Sequence, residues 1–94
     1  MTILTLDLPE RLDLAAVGAL AQELLSHRGC PLDVNASTVA RIGTPGLQVL
    51  LSAARTWRSD GHGFRLSNPS PVIEEAARTL GIELDDLMAE GGAK

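Results

Sequence analysis

The sequence predicts a small α/β domain in which helices pack mainly on one face of a mixed sheet of about four strands. Segments with strand-like alternation and segments with helical spacing follow one another three times along the chain, as in layered α/β proteins. The 94 residues suit one domain, and the chain has no internal repeat or linker, so residues 1–94 are predicted to form a single unit. Because aromatic residues make up only 2% of the chain, the core is expected to be aliphatic.

The first strand is predicted within residues 2–8, where leucines alternate with polar residues. Asp13 is a suitable N-cap for the helix that follows, whose apolar residues recur at three- and four-residue spacing. Gly29 is placed to end this helix in a left-handed conformation. Gly18 lies inside it at a cost of about 1 kcal/mol relative to Ala, so a close approach of a neighbouring backbone is expected there.

Residues 31–36 are predicted to form a second strand, and residues 37–41 a polar connector. The pair Thr44 and Pro45 marks the start of the second helix, since Thr is favoured as an N-cap and Pro at the first helical position. An apolar stripe at helical spacing then runs to Trp57. Two interpretations of Trp57 stay open, a core residue or an anchor at an interface.

A third strand is predicted at residues 64–67, after a glycine-rich turn. The Ser-Pro pair at 70–71 repeats the cap-and-proline device and starts a third helix, which Gly81 closes. Residues 82–88 are predicted to add one or two strand residues and a helical turn. Residues 90–94 read as a frayed tail.

The charge balance argues against polyanionic partners. With 8 basic and 12 acidic residues the net charge is -4, whereas nucleic acids and anionic membranes are bound through basic patches. No apolar run approaches the roughly 20 residues that span a bilayer, and the N-terminus does not resemble a signal peptide. The single cysteine, Cys30, fits a reducing compartment, so a cytoplasmic location is expected.

The sequence shows no pattern typical of an enzyme, a metal site or a cofactor site. His27 and His62 have no third ligand at metal-binding spacing. Glu74 and Glu75 stand in the first turns of a helix, where the dipole favours acidic residues and no acid–base pair is implied. The G-T-P-G stretch at 43–46 lacks the lysine and spacing of a phosphate-binding loop. We therefore predict a chain that is not an enzyme and that holds no cofactor or metal.

Five features in fixed order resemble one known family. They are a strand ending in Asn35, the motif G-T-P-G-L at 43–47 that opens a leucine-rich helix, a glycine turn at 61–63, the Ser-Pro start at 70–71 and the closing T-L-G-I at 79–82. Together they resemble the STAS domain, the module shared by sulfate transporters and anti-sigma-factor antagonists. The family commonly has two strands before its first helix, whereas this sequence shows one.

The resemblance implies a phosphorylation residue at Thr44, because the antagonists carry there the Ser or Thr that a partner kinase phosphorylates. A phosphate adds about -1.5 to -2 charges at the positive end of a helix and repels a partner that binds the neutral form. The family Asp is replaced by Gly43, and Pro45 offers the phosphate no N–H. Two interpretations stay open: Thr44 is a partner-facing switch, or it is an ordinary N-cap worth about 1 kcal/mol.

The resemblance further implies a regulatory protein-binding module whose partner is an anti-sigma or histidine-kinase-like ATPase or a related signalling complex. An alternative is an accessory subunit of an ATP-binding-cassette system that moves phospholipids, because some stand-alone STAS proteins serve such transporters and carry a Thr at this motif position. In either case the partner-binding loop is predicted to comprise Asn35, Gly43, Thr44, Pro45, Gly46 and Gln48.

Overall fold

The computed structural model describes residues 4–88, in which strands and helices alternate along the chain. The strands are β1 (Leu4–Asp7), β2 (Arg11–Leu12), β3 (Leu32–Asn35), β4 (Arg41–Ile42) and β5 (Phe64–Ser67). The helices are α1 (Leu14–Ser26), α2 (Thr44–Asp60), α3 (Pro71–Thr79) and a final 3-10 turn (Leu84–Leu87). The predicted α/β class is confirmed, while the predictions for residues 2, 3 and 90–94 lie outside the described residues.

The strands form two small sheets. One has the order β1-β3-β5, and β2 pairs with β4 in the other. All these pairings are parallel, which differs in detail from the predicted mixed sheet of about four strands. The physical reason is that a helix lies between β1 and β3 and again between β3 and β5, and such crossovers return the chain to the same end of the sheet.

The strands β2 and β4 were not predicted from the sequence. Each has two residues, and their register places Arg11 beside Arg41. Segments this short cannot show the alternation that identifies a strand. The chain therefore has two strands before its first helix, as is common in the family that the sequence resembles. The N–H of Arg41 extends the contact by donating to the Glu10 carbonyl over 3.1 Å.

The core lies on one face of the three-stranded sheet. Leucine, valine and phenylalanine side chains from the strands join α1 and α2 in a single apolar cluster, whereas Thr5, Asp33 and Arg65 share the opposite, polar face. The prediction that helices pack mainly on one face is thereby confirmed. Trp57 is 2% exposed and its ring centroid lies 5.4 Å from that of Phe64, so the core interpretation of Trp57 is confirmed.

The helix starts agree only in part with the sequence predictions. Asp13 caps α1 by accepting a hydrogen bond from the N–H of Ala16, and Ser70 caps α3, as predicted. The helix α1 ends at Ser26, and Gly29 follows with a φ of 96°. The expectation of a close neighbouring backbone at Gly18 is wrong, because no heavy atom from outside the surrounding helix backbone lies within 4 Å of the position that its Cβ would occupy.

Candidate functional site

The start of α2 is capped by Gly43, not by Thr44. Gly43 has the extended conformation of a cap residue, and its carbonyl accepts the first helical hydrogen bond, from the N–H of Leu47 over 3.2 Å. The prediction that Thr44 is the N-cap is therefore wrong. Thr44 is the first residue of the helix and Pro45 the second, one position later than the sequence suggests.

The consequence for Thr44 is an exposed side chain without a structural task. Among the hydrogen bonds of the described residues, none uses the Thr44 hydroxyl, and the cap residue before it has no side chain to contribute. The first N–H groups of a helix have no partner within the helix, and Pro45 supplies none. The hydroxyl of Thr44 is thus presented to solvent at the positive end of the α2 dipole.

Two backbone contacts hold the loop before α2 against β2. The N–H of Gly43 donates to the Leu12 carbonyl over 3.1 Å. Gly46 is buried, and a Cβ at this position would lie 3.0 Å from the same carbonyl oxygen and 3.2 Å from Cγ1 of Ile42. Gly46 therefore brings α2 close to the small sheet, and by doing so it positions Thr44.

A small depression lies beside Thr44, between the start of α2 and the end of α3. Its volume is about 170 Å³, and its surface is polar and apolar in similar parts. Leu80, at its rim, is 44% exposed. The lining residues are Ile42, Gly43, Thr44, Leu47, Ala76, Thr79 and Leu80.

A second, larger groove lies between α1 and α2. Gln48, one helical turn after Thr44 and exposed, lines this groove together with Leu25, which is 58% exposed. The groove has a volume of about 280 Å³ and is otherwise lined by Ala21, Leu24, Val49, Ser52, Ala53, Thr56 and Trp57. The start of α2 therefore lines the smaller depression through Thr44, and the larger groove begins one turn later at Gln48 and continues along the helix to Trp57.

Asn35 stands apart from the other residues of the predicted loop. It ends β3 in the three-stranded sheet, where its Nδ2 donates to Oδ1 of Asp7 over 3.0 Å and its Oδ1 accepts from the N–H of Ser37 over 3.2 Å. It does not line the depression beside Thr44. The structure thus gives its side chain a local task, which is to join two parallel strands and shape the turn that follows.

Within residues 4–88 one salt bridge is present, between Arg28 and Asp60. It lies away from Thr44, at the far end of α2. Nε of Arg28 lies 2.8 Å from Oδ2 of Asp60. The hydrogen bond from Arg28 lowers the pKa of Asp60, and the same bond raises the pKa of Arg28. Both shifts follow from the pairing of two exposed side chains that stay charged, so neither group is prepared for proton transfer.

The described residues contain no group of three His, Cys, Asp or Glu side chains arranged to hold a metal ion. In the same part of the chain, no helix is both long and apolar enough to cross a bilayer.

Sequence reasoning also missed two residues near the start of α2, Arg11 and Arg41, which the register of β2 and β4 brings side by side. Only the pairing of these two short strands could have revealed them.

Comparison with known proteins gives one finding. A family model described as "Mlab, STAS domain" matches residues 3–88, a range that includes every helix and strand described above. No curated protein and no solved structure matches the chain significantly.

Proposed function

We propose that this chain, which belongs to the STAS domain family, is a regulatory module that binds a protein partner through the start of α2. STAS domains are generally non-catalytic modules with binding or regulatory roles, similar to those of the anti-sigma-factor antagonists. The observation that carries the proposal is the exposed Thr44 hydroxyl, which no hydrogen bond within the described residues occupies.

The surface around Thr44 supports a protein partner. The larger groove, which is mainly apolar, and the smaller depression of mixed character offer places for side chains of a partner, and the exposed Leu25 and Leu80 line one each. Interfaces of this kind combine a few apolar anchors with polar residues that exclude water around them. Thr44 lines the smaller depression and Gln48, one helical turn later, lines the larger groove, so a partner that fills the smaller depression lies against Thr44.

Phosphorylation of Thr44 is the switch that this arrangement suits. The hydroxyl is not used to hold the helix, so a phosphate there leaves the fold in place and changes only the surface. A phosphate carries about -1.5 to -2 charges, and covering it requires the partner to displace its water. In this proposal the partner is an anti-sigma or histidine-kinase-like ATPase, or a related cytoplasmic signalling complex, which binds the unmodified form.

The test compares partner recovery by three variants in the native host. The partner is cross-linked to each variant in the cell and then recovered with it. Thr44→Glu is expected to reduce this recovery by at least about tenfold, because the partner would have to cover a new charge, whereas Thr44→Ala is expected to retain it. Ser59→Glu adds the same charge at the exposed far end of α2 and is the control. Equal recovery by all variants contradicts the proposal. Intact mass of the protein from its own host shows directly whether a phosphate is carried.

A second candidate is an accessory subunit of an ATP-binding-cassette system that moves phospholipids. It is favoured by the residues around Thr44: the Asp that precedes the phosphorylated residue in the antagonists is Gly43 here, and Pro45 follows. In this case Thr44 is a constant contact with the ATPase subunit and carries no phosphate. Recovery of an ATPase subunit with the membrane fraction supports this candidate, and a set of cytosolic partners without a transporter ATPase contradicts it.

A further inference from the structure

Arg11 and Arg41 form a pair of like charges beside the proposed partner surface. They are neighbours in the parallel register of β2 and β4, so their side chains leave the same face of the small sheet. Neighbouring strands lie about 4.8 Å apart, which lets both guanidinium groups reach one anion. Both side chains are exposed, whereas Leu12, the next residue of β2, is fully buried.

Neither guanidinium has a partner among the described residues. Arg28 pairs with Asp60 and Arg58 donates to a backbone carbonyl, but no hydrogen bond or salt bridge within residues 4–88 uses the side chain of Arg11 or Arg41. The nearby carboxylate of Asp13 accepts a hydrogen bond from the N–H of Ala16 at the start of α1. Like charges placed opposite each other on neighbouring strands destabilise a sheet, and a bound anion would relieve this cost.

The pair lies at the base of the loop that presents Thr44. Gly43 is tied to the end of β2 by its hydrogen bond to the Leu12 carbonyl. Arg41 precedes Thr44 by three residues, which span at most about 10 Å even when extended. The positive end of the α2 dipole adds to the charge of the two arginines. The two arginines are therefore close enough to Thr44 along the chain for one partner to contact all three.

We propose that Arg11 and Arg41 bind a carboxylate in an acidic segment of the protein partner, an inference that rests on the proposed role of the α2 start. Guanidinium groups bind carboxylates through paired, charge-assisted hydrogen bonds. The net charge of -4 repels a long polyanion such as a nucleic acid, whereas a short acidic segment meets only the local positive charge. A phosphate on Thr44 would compete with that carboxylate for the same arginines.

The experiment is a nuclear magnetic resonance titration of the protein with a hexaglutamate peptide at neutral pH and low salt. Saturable shifts are expected at the amides of Arg11, Arg41 and Gly43. The double variant Arg11→Gln/Arg41→Gln is expected to weaken binding by at least about tenfold, because charge-assisted hydrogen bonds are lost. The control Arg55→Gln/Arg65→Gln removes the same charge from exposed positions elsewhere and is expected to retain the affinity.

Three results would overturn the inference: no binding of the peptide, an equal loss in the control variant, or tighter binding of a single-stranded oligonucleotide or an anionic vesicle through the same arginines. Thermal unfolding of both double variants verifies that they fold. The titration changes no residue at position 44 and needs no native partner. A failure of the peptide to bind is therefore distinct from a failure of the proposed switch at Thr44. If peptide binding depends on the two arginines while the Thr44 variants leave partner recovery unchanged, the arginine site stands and the Thr44 switch is contradicted.

Discussion

Gly46 lies so close to Leu12 that a β-carbon at position 46 would stand 3.0 Å from the Leu12 carbonyl oxygen. The obstacle is backbone, which cannot turn aside as the tip of a long side chain can. The contact joins α2 to β2 and thereby places the preceding residue pair, Thr44 and Pro45, at the surface. The exposed position of Thr44 therefore depends on a buried glycine.

The first prediction concerns this contact. Gly46→Ala is expected to lower the free energy of unfolding by about 1–3 kcal/mol, because the added methyl group forces the backbone apart. Gly18→Ala is the matched control, since open space surrounds that position and alanine favours the helix, by about 0.5–1 kcal/mol. Urea denaturation followed by circular dichroism measures both. A neutral Gly46→Ala variant would show that the helix is not held this tightly.

The second prediction contrasts two Ser/Thr-Pro helix starts. Ser70 is 6% exposed and caps α3 through a hydrogen bond from the N–H of Ile73, so Ser70→Ala is expected to cost about 1 kcal/mol. Thr44→Ala is expected to change the free energy of unfolding by less than about 0.5 kcal/mol, because the Thr44 hydroxyl caps nothing. The same urea titrations measure both variants, and equal losses would restore Thr44 as a cap.

The third prediction concerns Trp57, whose Nε1–H donates to the Cys30 carbonyl over 2.7 Å. Trp57→Phe removes this donor and leaves a small void, so a loss of about 1–3 kcal/mol is expected. Circular dichroism follows unfolding, since the variant lacks the tryptophan signal. Arg55→Gln, an exposed change on the same helix, is the control with an expected effect within about 0.5 kcal/mol. A fully stable Trp57→Phe variant would contradict a structural role for this bond.

The fourth prediction concerns pH. The hydrogen bond from Arg28 lowers the pKa of Asp60, so the pair stabilises the fold above the ordinary carboxyl pKa of about 3.9, and the stabilisation is lost as the pH falls through the lower folded-state value. Asp60→Asn is therefore expected to lower stability at pH 7 and to have little effect in strong acid. The loss should be small, because the Arg28 side chain is 52% exposed and salt screens the pair.

The Arg28→Gln background provides the control for that measurement. In the Arg28→Gln background the ion pair is already absent. Asp60→Asn should therefore no longer change the free energy of unfolding at pH 7. Urea midpoints at neutral and acidic pH measure the cycle. If Asp60→Asn changes stability equally at neutral and acidic pH, the change comes from helix propensity at the end of α2 and not from the ion pair.

The longer elements were predictable because each repeats a periodic pattern. Alternation over four residues identified β3 and β5, and apolar residues at helical spacing identified the three helices. The strands β2 and β4 have two residues each, and such segments carry no period. Their existence rests on hydrogen bonds between Glu10, Leu12 and the chain about thirty residues later.

The cap at the start of α2 shows the limit of local rules. Thr44-Pro45 and Ser70-Pro71 are near-identical as sequence, yet only Ser70 caps its helix. The N–H of Gly43 is held by the Leu12 carbonyl, and this bond to another strand sets where α2 begins.

Local sequence was sufficient for the fold class, the helices and the family, because periodicity and motif order are properties of short segments. The tertiary structure decided the rest of the candidate site. It left the Thr44 hydroxyl exposed, engaged Asn35 with Asp7 in the larger sheet and placed Arg11 beside Arg41. The last two relationships depend on which strands pair, and the position of Thr44 depends on the bond from Gly43 to Leu12, so each joins residues that are far apart in the chain.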